Sequence, residues 1–155
     1  SYAPHLIDRI LSIAPPGPVT VYGIVRSLMN EEDYFHSTLE FAGGWTAQIE
    51  VSRGSRMRAA HSFVVMCERG DIRTWTEENN ERVLWMRSDD GDDVKRTVPA
   101  DPPLHLHSRP FYRNLYQAIR TGSPVAIEPG ISRRYVAIAE AIARSSETHR
   151  CIVVP

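Results

Sequence analysis

Apolar and polar positions alternate along this chain with two periods, and the switches between them mark out its elements. Leu6, Ile7, Ile10 and Leu11 recur at helical spacing, which predicts an amphipathic helix with one face on a core and an accessible start. Pro15-Pro16-Gly17-Pro18 stops that helix, because proline supplies no helical amide and restricts the residue before it. Val19 to Arg26 reads as a strand, and Glu31-Glu32-Asp33 as an acidic loop. Two alternating runs follow. In the first, Phe35, Leu39 and Phe41 oppose His36, Thr38 and Glu40; in the second, Trp45, Ala47, Ile49 and Val51 oppose Thr46, Gln48, Glu50 and Ser52. Gly43-Gly44 between them supplies the positive backbone angles of a tight turn, so the two runs predict a hairpin.

Phe63 to Glu68 and Val83 to Arg87 carry apolar side chains at both parities. Val64, Met66, Leu84 and Met86 are expected on one face, away from Phe63, Val65, Val83 and Trp85. A sheet apolar on both sides must be covered twice, by helices on one face and by a partner subunit or a further domain on the other. Ile72 to Thr76 predicts another short strand and Val94 to Val98 an edge strand. Pro99, Pro102, Pro103 and Pro110 break up a connector carrying His105 and His107. Phe111, Leu115, Ala118 and Ile119 then mark a second helix, opened by Pro110 and closed by Thr121-Gly122. A last helix is expected with Ser132 as cap and Tyr135, Ile138, Ala139 and Ile142 on its buried stripe, followed by a short strand from Cys151 to Val154. The expected class is α+β.

Length and composition narrow the possibilities. At 155 residues and 17.5 kDa the chain suits a single domain over residues 1–155, with volume for a real core. Its 42% hydrophobic and 24% charged residues are those of an ordered globular protein. A formal net charge of -1 argues against a nucleic-acid partner. Arg53, Arg56 and Arg58, the densest basic group, read as a solvated turn. No apolar run reaches membrane-spanning length and no signal-peptide pattern opens the chain, so no membrane association and a cytoplasmic location are expected. Cys67 and Cys151 each sit in an apolar run, which predicts reduced, buried thiols. The chain starts at Ser1, directly inside a helical pattern, as expected of a piece of something longer.

Candidate chemistry centres on the first helix. His5 and Asp8 lie three apart, so they neighbour one another on its surface. Histidine titrates near neutral pH and can exchange a proton with a substrate oxygen, whereas a histidine at a helix start can equally have no duty. His105-Leu106-His107 would place two imidazoles on one side of an extended segment, yet no cysteine or acid at ligand spacing completes a metal set. His36 and His61 read as structural hydrogen-bond formers, and His149 as a surface residue after the last helix. Ser145-Ser146 has no neighbouring histidine and acid to make a nucleophile, so capping or packing is expected. Gly43-Gly44 precedes no helix, and neither G-x-G-x-x-G nor G-x-x-x-x-G-K-[ST] occurs, so the chain shows no nucleotide cradle.

Taken in order, these landmarks resemble the C-terminal domain of the glucose-fructose oxidoreductase and inositol dehydrogenase family, also called Gfo/Idh/MocA. Ser1-Tyr2-Ala3-Pro4-His5-Leu6-Ile7-Asp8 is similar to that family's D-x-[GA]-x-H-x-x-D segment, with Ser1 at the place of its aspartate. Glu32-Asp33 followed by Phe41-Ala42-Gly43-Gly44-Trp45-Thr46-Ala47 looks like its E-D, alternating strand and glycine turn. Phe111 to Pro124 looks like its late helix ending in A-I-x-x-G-x-P, and Ala141 to Ser146 with Cys151 to Val154 like its closing helix and strand.

The resemblance implies an open, mostly antiparallel sheet with helices packed on one face. It also implies a parent protein whose N-terminal Rossmann domain, absent here, binds NAD or NADP. This fragment would bind no cofactor itself; it would form the pocket for a small-molecule substrate and mediate homo-oligomers through its sheet face. By position, His5 corresponds to the family's acid-base histidine, which works with a lysine of the Rossmann domain. The expected function is therefore the substrate-binding and oligomerisation domain of an NAD(P)-dependent oxidoreductase acting on a sugar, polyol or related hydroxy compound. Such a fragment is not catalytically complete alone. Asp8 would touch substrate or, more simply, hold the helix start, where negative charge is favourable. The alternative is a non-catalytic module using the same fold for self-association or for binding a protein or ligand, and Ser1, which cannot ionise to support an imidazolium, favours it.

Overall fold

A computed structural model describes residues 3–27, 32–52, 63–79, 81–98 and 108–155. Among them are three α-helices and eight strands: α1 (Ala3–Leu11), β1 (Val19–Ser27), β2 (Glu32–Phe41), β3 (Thr46–Ser52), β4 (Phe63–Cys67), β5 (Gly70–Thr76), β6 (Arg82–Ser88), β7 (Val94–Val98), α2 (Arg109–Thr121), α3 (Pro129–Thr148) and β8 (Ile152–Val154). The class is α+β, as expected. The strands pair throughout as antiparallel neighbours, in two four-stranded sheets of order β3-β2-β1-β8 and β4-β5-β6-β7. The chain forms two compact units, Ser1–Arg56 with Ala126–Pro155, and Met57–Val125.

The first unit holds most of the buried core. Register aligns Val19, Val21 and Gly23 of β1 with Phe41, Leu39 and Ser37 of β2, and these with β3, so all lie on one face. That face is covered by α3 along β1 and β8 and by α1 against α3 and β3. Val19, Val21, Leu39, Ile7 and Ile138 are all fully buried there. The opposite face carries Thr20, Tyr22, His36, Thr38, Gln48 and Glu50. The predicted hairpin is present: Phe41 N–H donates to the Trp45 carbonyl at 2.7 Å, and Gly43 and Gly44 take φ of 76° and 78°, which side chains with a Cβ rarely adopt. Glu32 and Asp33, expected in a loop, instead open β2.

Helix α3 also departs from expectation at its start. It begins at Pro129, whose fixed φ suits the first helical position, with Glu128 as the flanking residue, so Ser132 lies inside the helix and is no cap. Its buried stripe is Ile138, Ala141, Ile142 and Ser145, with Tyr135 and Ala139 half-buried beside it.

Two hydroxyls near its C-terminal end fasten α3 to β1. β8 pairs only with Val19 to Val21, so the same edge of β1 continues unpaired beyond it. There Gly23 N–H donates to Ser145 Oγ at 3.0 Å and Val25 N–H to Ser146 Oγ at 2.9 Å. Ser145 Oγ in turn donates to the Arg150 carbonyl at 2.7 Å. Side chains of a helix thus complete a strand ladder where the backbone partner runs out, which is the packing role expected of Ser145-Ser146. The contact requires a glycine: a Cβ on Gly23 would stand 2.6 Å from Ile142 Cγ2 and 2.8 Å from the Ile142 carbonyl oxygen. Finally, α3 ends in a left-handed residue, His149 (φ 55°, ψ 34°), whose N–H donates to the Ser145 carbonyl at 2.8 Å.

The second unit comprises β4 to β7 and α2. Its registers place Val64 opposite Arg73, Arg73 opposite Trp85, and Trp85 opposite Lys95. Val64 and Met66 therefore share a face with Trp75, Val83 and Trp85, while Phe63 and Val65 share the other with Ile72, Leu84 and Met86. This reverses the expected grouping across strands. Parity within each strand is legible from sequence, but a shift of one residue in pairing exchanges the faces between strands. Both faces are apolar, as anticipated, and Val83 is 2% exposed against 78% for Met66. Arg73 lies over the Trp85 ring at 5.2 Å and Lys95 over the Trp75 ring at 5.5 Å, so cations shelter much of the indole surface. Cys67 and Cys151 are free but exposed, not buried: Cys67 is the last residue of β4, and Cys151 lies just before β8 begins.

Candidate functional site

His5 and Asp8 are both on α1 and both exposed. Their helix is held from below: Ile7 and Ile10 are 0% and 6% exposed, so the apolar stripe fixes the rotation of α1 and leaves His5 turned outward. The helix closes through Ala14 N–H to the Ile10 carbonyl at 2.9 Å and Ser12 Oγ to the Arg9 carbonyl at 2.7 Å, just before the proline run. Three residues on a helix separate His5 from Asp8 by less than one turn, about 4.5 Å of rise. Neither side chain has a hydrogen bond or ion pair among the described residues. The imidazole is thus anchored at its backbone and free at its ring nitrogens, the arrangement a proton-exchanging group needs toward a ligand arriving from outside.

The other histidines do not join it. His36 is half-buried on the outer face of β2, between Ile24 and Glu50 in neighbouring strands, and its ring makes no hydrogen bond among the described residues, unlike the structural hydrogen-bond former expected of it. His149 caps α3, a more definite duty than the surface role read from sequence. His61, His105, His107, Ser1 and the Arg53, Arg56, Arg58 group lie outside the described residues. Among the described residues no three His, Cys, Asp or Glu side chains gather as a metal site.

Sequence reasoning missed one charged cluster in the second unit. The Trp75 and Lys95 side chains both hydrogen-bond Glu77, the indole first in effect, and hold its carboxyl below the usual carboxylate range; Lys95 Nζ is 3.1 Å from Glu77 Oε1. The alternation of Arg73, Trp75 and Glu77 along one strand face and its exit was the available signal.

The Gly43-Gly44 turn leads into β3 and not into a helix, so no strand, glycine turn and helix N-terminus come together there to hold a pyrophosphate.

The GFO/IDH/MocA C-terminal domain matches residues 1–73, a span that takes in α1 with His5 and Asp8, the β2–β3 hairpin and β4. Residues 1–73, just under half of the chain, are thus similar to that family's domain. Solved structures extend the likeness in fold to nearly the whole chain. An NAD-binding protein from Listeria innocua shares 19% identity at a TM-score of 0.74, covering 98% of this chain and 46% of that one. A levoglucosan dehydrogenase in complex with NADH and L-sorbose shares 19% at 0.74, covering 99% and 48%. An oxidoreductase from Agrobacterium radiobacter in complex with NAD+, L-tartaric acid and magnesium shares 16% at 0.73, covering 98% and 47%. The chain therefore spans about half the length of these solved proteins. No curated protein matches it in sequence.

Proposed function

We propose that residues 1–155 act as the substrate-binding and oligomerisation domain of an NAD(P)-dependent oxidoreductase of the GFO/IDH/MocA type, with a sugar, polyol or related hydroxy compound as substrate. The observation that carries the reading is the family match over α1, together with the outward, unpartnered placement of His5 on that buried-face helix. NAD or NADP would be held by a Rossmann domain outside this chain and would supply the hydride acceptor or donor. Within this chain, His5 takes the proton of the substrate hydroxyl, or returns it to the carbonyl product in reverse. Asp8 lies beyond the first turn of α1 and so does not hold the helix start as expected; exposed on the turn after His5, it would instead meet a substrate hydroxyl. Two of the similar solved structures are complexes with L-sorbose and with L-tartaric acid, both hydroxy compounds, which supports that substrate class.

Self-association is assigned to the face of the second unit's sheet that carries Val64 and Met66, which are 41% and 78% exposed. The exposed free thiols Cys67 and Cys151 support a reducing, cytoplasmic setting. No described helix is long and apolar enough to cross a membrane.

His5→Ala in the full-length protein tests the catalytic part. Loss of a general acid-base is expected to lower turnover by about 100- to 10,000-fold, with the unfolding midpoint unchanged because His5 is exposed. Unchanged turnover refutes the assignment and leaves the non-catalytic module.

A further inference from the structure

α2 leaves uncovered the side chains a helix ordinarily buries. Phe111, Tyr112, Leu115, Tyr116 and Ile119 are 52%, 62%, 37%, 63% and 75% exposed. With about 3.6 residues per turn they and Ala118 fill one sector roughly 160° wide. Arg109, Arg113 and Arg120 fall together along one border of that sector, with no acidic residue anywhere in the helix. None of the three has an ion pair among the described residues. The helix is fixed at its ends, by Pro110 in its first turn and by Gly122 N–H donating to the Ala118 carbonyl at 2.9 Å. It makes no extended packing with the strands of its own unit.

The five apolar side chains expose on the order of 500 Å². That is as large as the largest apolar patch of an ordinary monomer. It also matches one side of an interface between domains of a chain, which totals about 600–1,500 Å². The solved proteins of this fold are about twice as long as this chain, which covers 46–48% of them. Those proteins carry about as much chain again beyond this fold, and in a full-length protein of that length the additional chain would seat on surfaces such as this one.

We propose that the Phe111–Tyr112–Leu115–Tyr116–Ile119 face of α2 is the docking surface for the dinucleotide-binding domain, with Arg109, Arg113 and Arg120 meeting carboxylates at its rim. This rests on the function proposed above. The helix then couples the two halves of the enzyme, since whatever seats on it sets the position of the cofactor domain.

Hydroxyl-radical footprinting of Phe111, Tyr112 and Tyr116 in the full-length protein tests it. Rings a little over half exposed would be modified about twofold more slowly than in the urea-unfolded protein; docked rings are expected to be modified at least about tenfold more slowly. Protection should persist on dilution to the protomer. Ile119→Asp, at a side chain exposed in this unit, should return the rates toward twofold and raise KM for the dinucleotide. Rings that stay open in a protein whose upstream half carries a G-x-G-x-x-G fold overturn this inference alone. Protection that vanishes on dilution assigns the face to a second copy and also overturns it. An upstream half without a dinucleotide fold removes both this inference and the function it rests on.

Discussion

Replacing Gly23 by alanine should loosen the fold at one identifiable joint. The new methyl would stand 2.6 Å from Ile142 Cγ2, 2.8 Å from the Ile142 carbonyl oxygen and 3.0 Å from Ile142 Cα. Ordinary carbon contacts are about 3.5–4.0 Å. The side-chain carbon can rotate away, but the two backbone atoms cannot, so α3 must lift from β1 by several tenths of an ångström. Lifting it stretches the 3.0 Å bond from Gly23 N–H to Ser145 Oγ and threatens the 2.9 Å bond from Val25 N–H to Ser146 Oγ. Overpacking costs about 1–3 kcal/mol, and a buried donor left without a partner costs about 1–3 kcal/mol more. The sum, roughly 2–5 kcal/mol, is a large part of the ~5–15 kcal/mol that holds an ordinary domain together. Urea denaturation followed by circular dichroism should show a lower midpoint with the slope unchanged. Ser145→Ala alone should cost about 1–3 kcal/mol, because Gly23 N–H loses its acceptor. In the Gly23→Ala background it should cost at least about 0.5 kcal/mol less, since the bond is already strained there. Gly23→Ala within about 0.5 kcal/mol of the parent, or strict additivity of the two changes, would refute the reasoning.

Three further outcomes are expected. His149→Gly should leave the fold intact and stabilise it by about 0.5–1 kcal/mol, read as a higher urea midpoint, because glycine adopts the left-handed cap conformation without a Cβ penalty. Glu77 has a lowered pKa when folded, so its contribution to stability is complete above its unfolded pKa and is lost as pH falls through the folded value; a carboxyl NMR titration should show Glu77 titrating higher in Lys95→Met than in the parent. His5→Ala should abolish most turnover in the full-length protein without moving its unfolding midpoint, as measured by steady-state kinetics beside denaturation.

The parts of the fold legible in sequence are those fixed by local chemistry. Gly43-Gly44 between two alternating runs specified the hairpin, and Pro110 with Gly122 bracketed α2, because these residues act through their own backbone angles. What could not be read depends on partners distant in sequence. The face shared by Val64 and Trp85 is set by register between β4, β5 and β6, and the exposure of Cys67 and Cys151 by where β4 ends and β8 begins. Ser132 looked like a cap because serine often is one, yet Pro129 three residues earlier opened the helix first. Ser145 continues the stripe of Ile138, Ala141 and Ile142 at helical spacing, so its burial was implicit; its bond to a strand 122 residues away was not. At the site, periodicity located the outward side of α1, but nothing in the periodicity distinguishes His5 from any exposed histidine. Its assignment came from resemblance.

The serine pair on α3 also bears on how this sheet behaves in a crowded solution. An open strand edge is a template on which another chain can add a strand, the first step toward fibrous deposits. β8 shields β1 only as far as Val21, and the next two outward amides, at Gly23 and Val25, would invite such growth. Because Ser145 and Ser146 already hold those amides, an incoming strand would have to displace a packed helix before it could take hold. The joint that fastens the helix thereby also terminates the sheet.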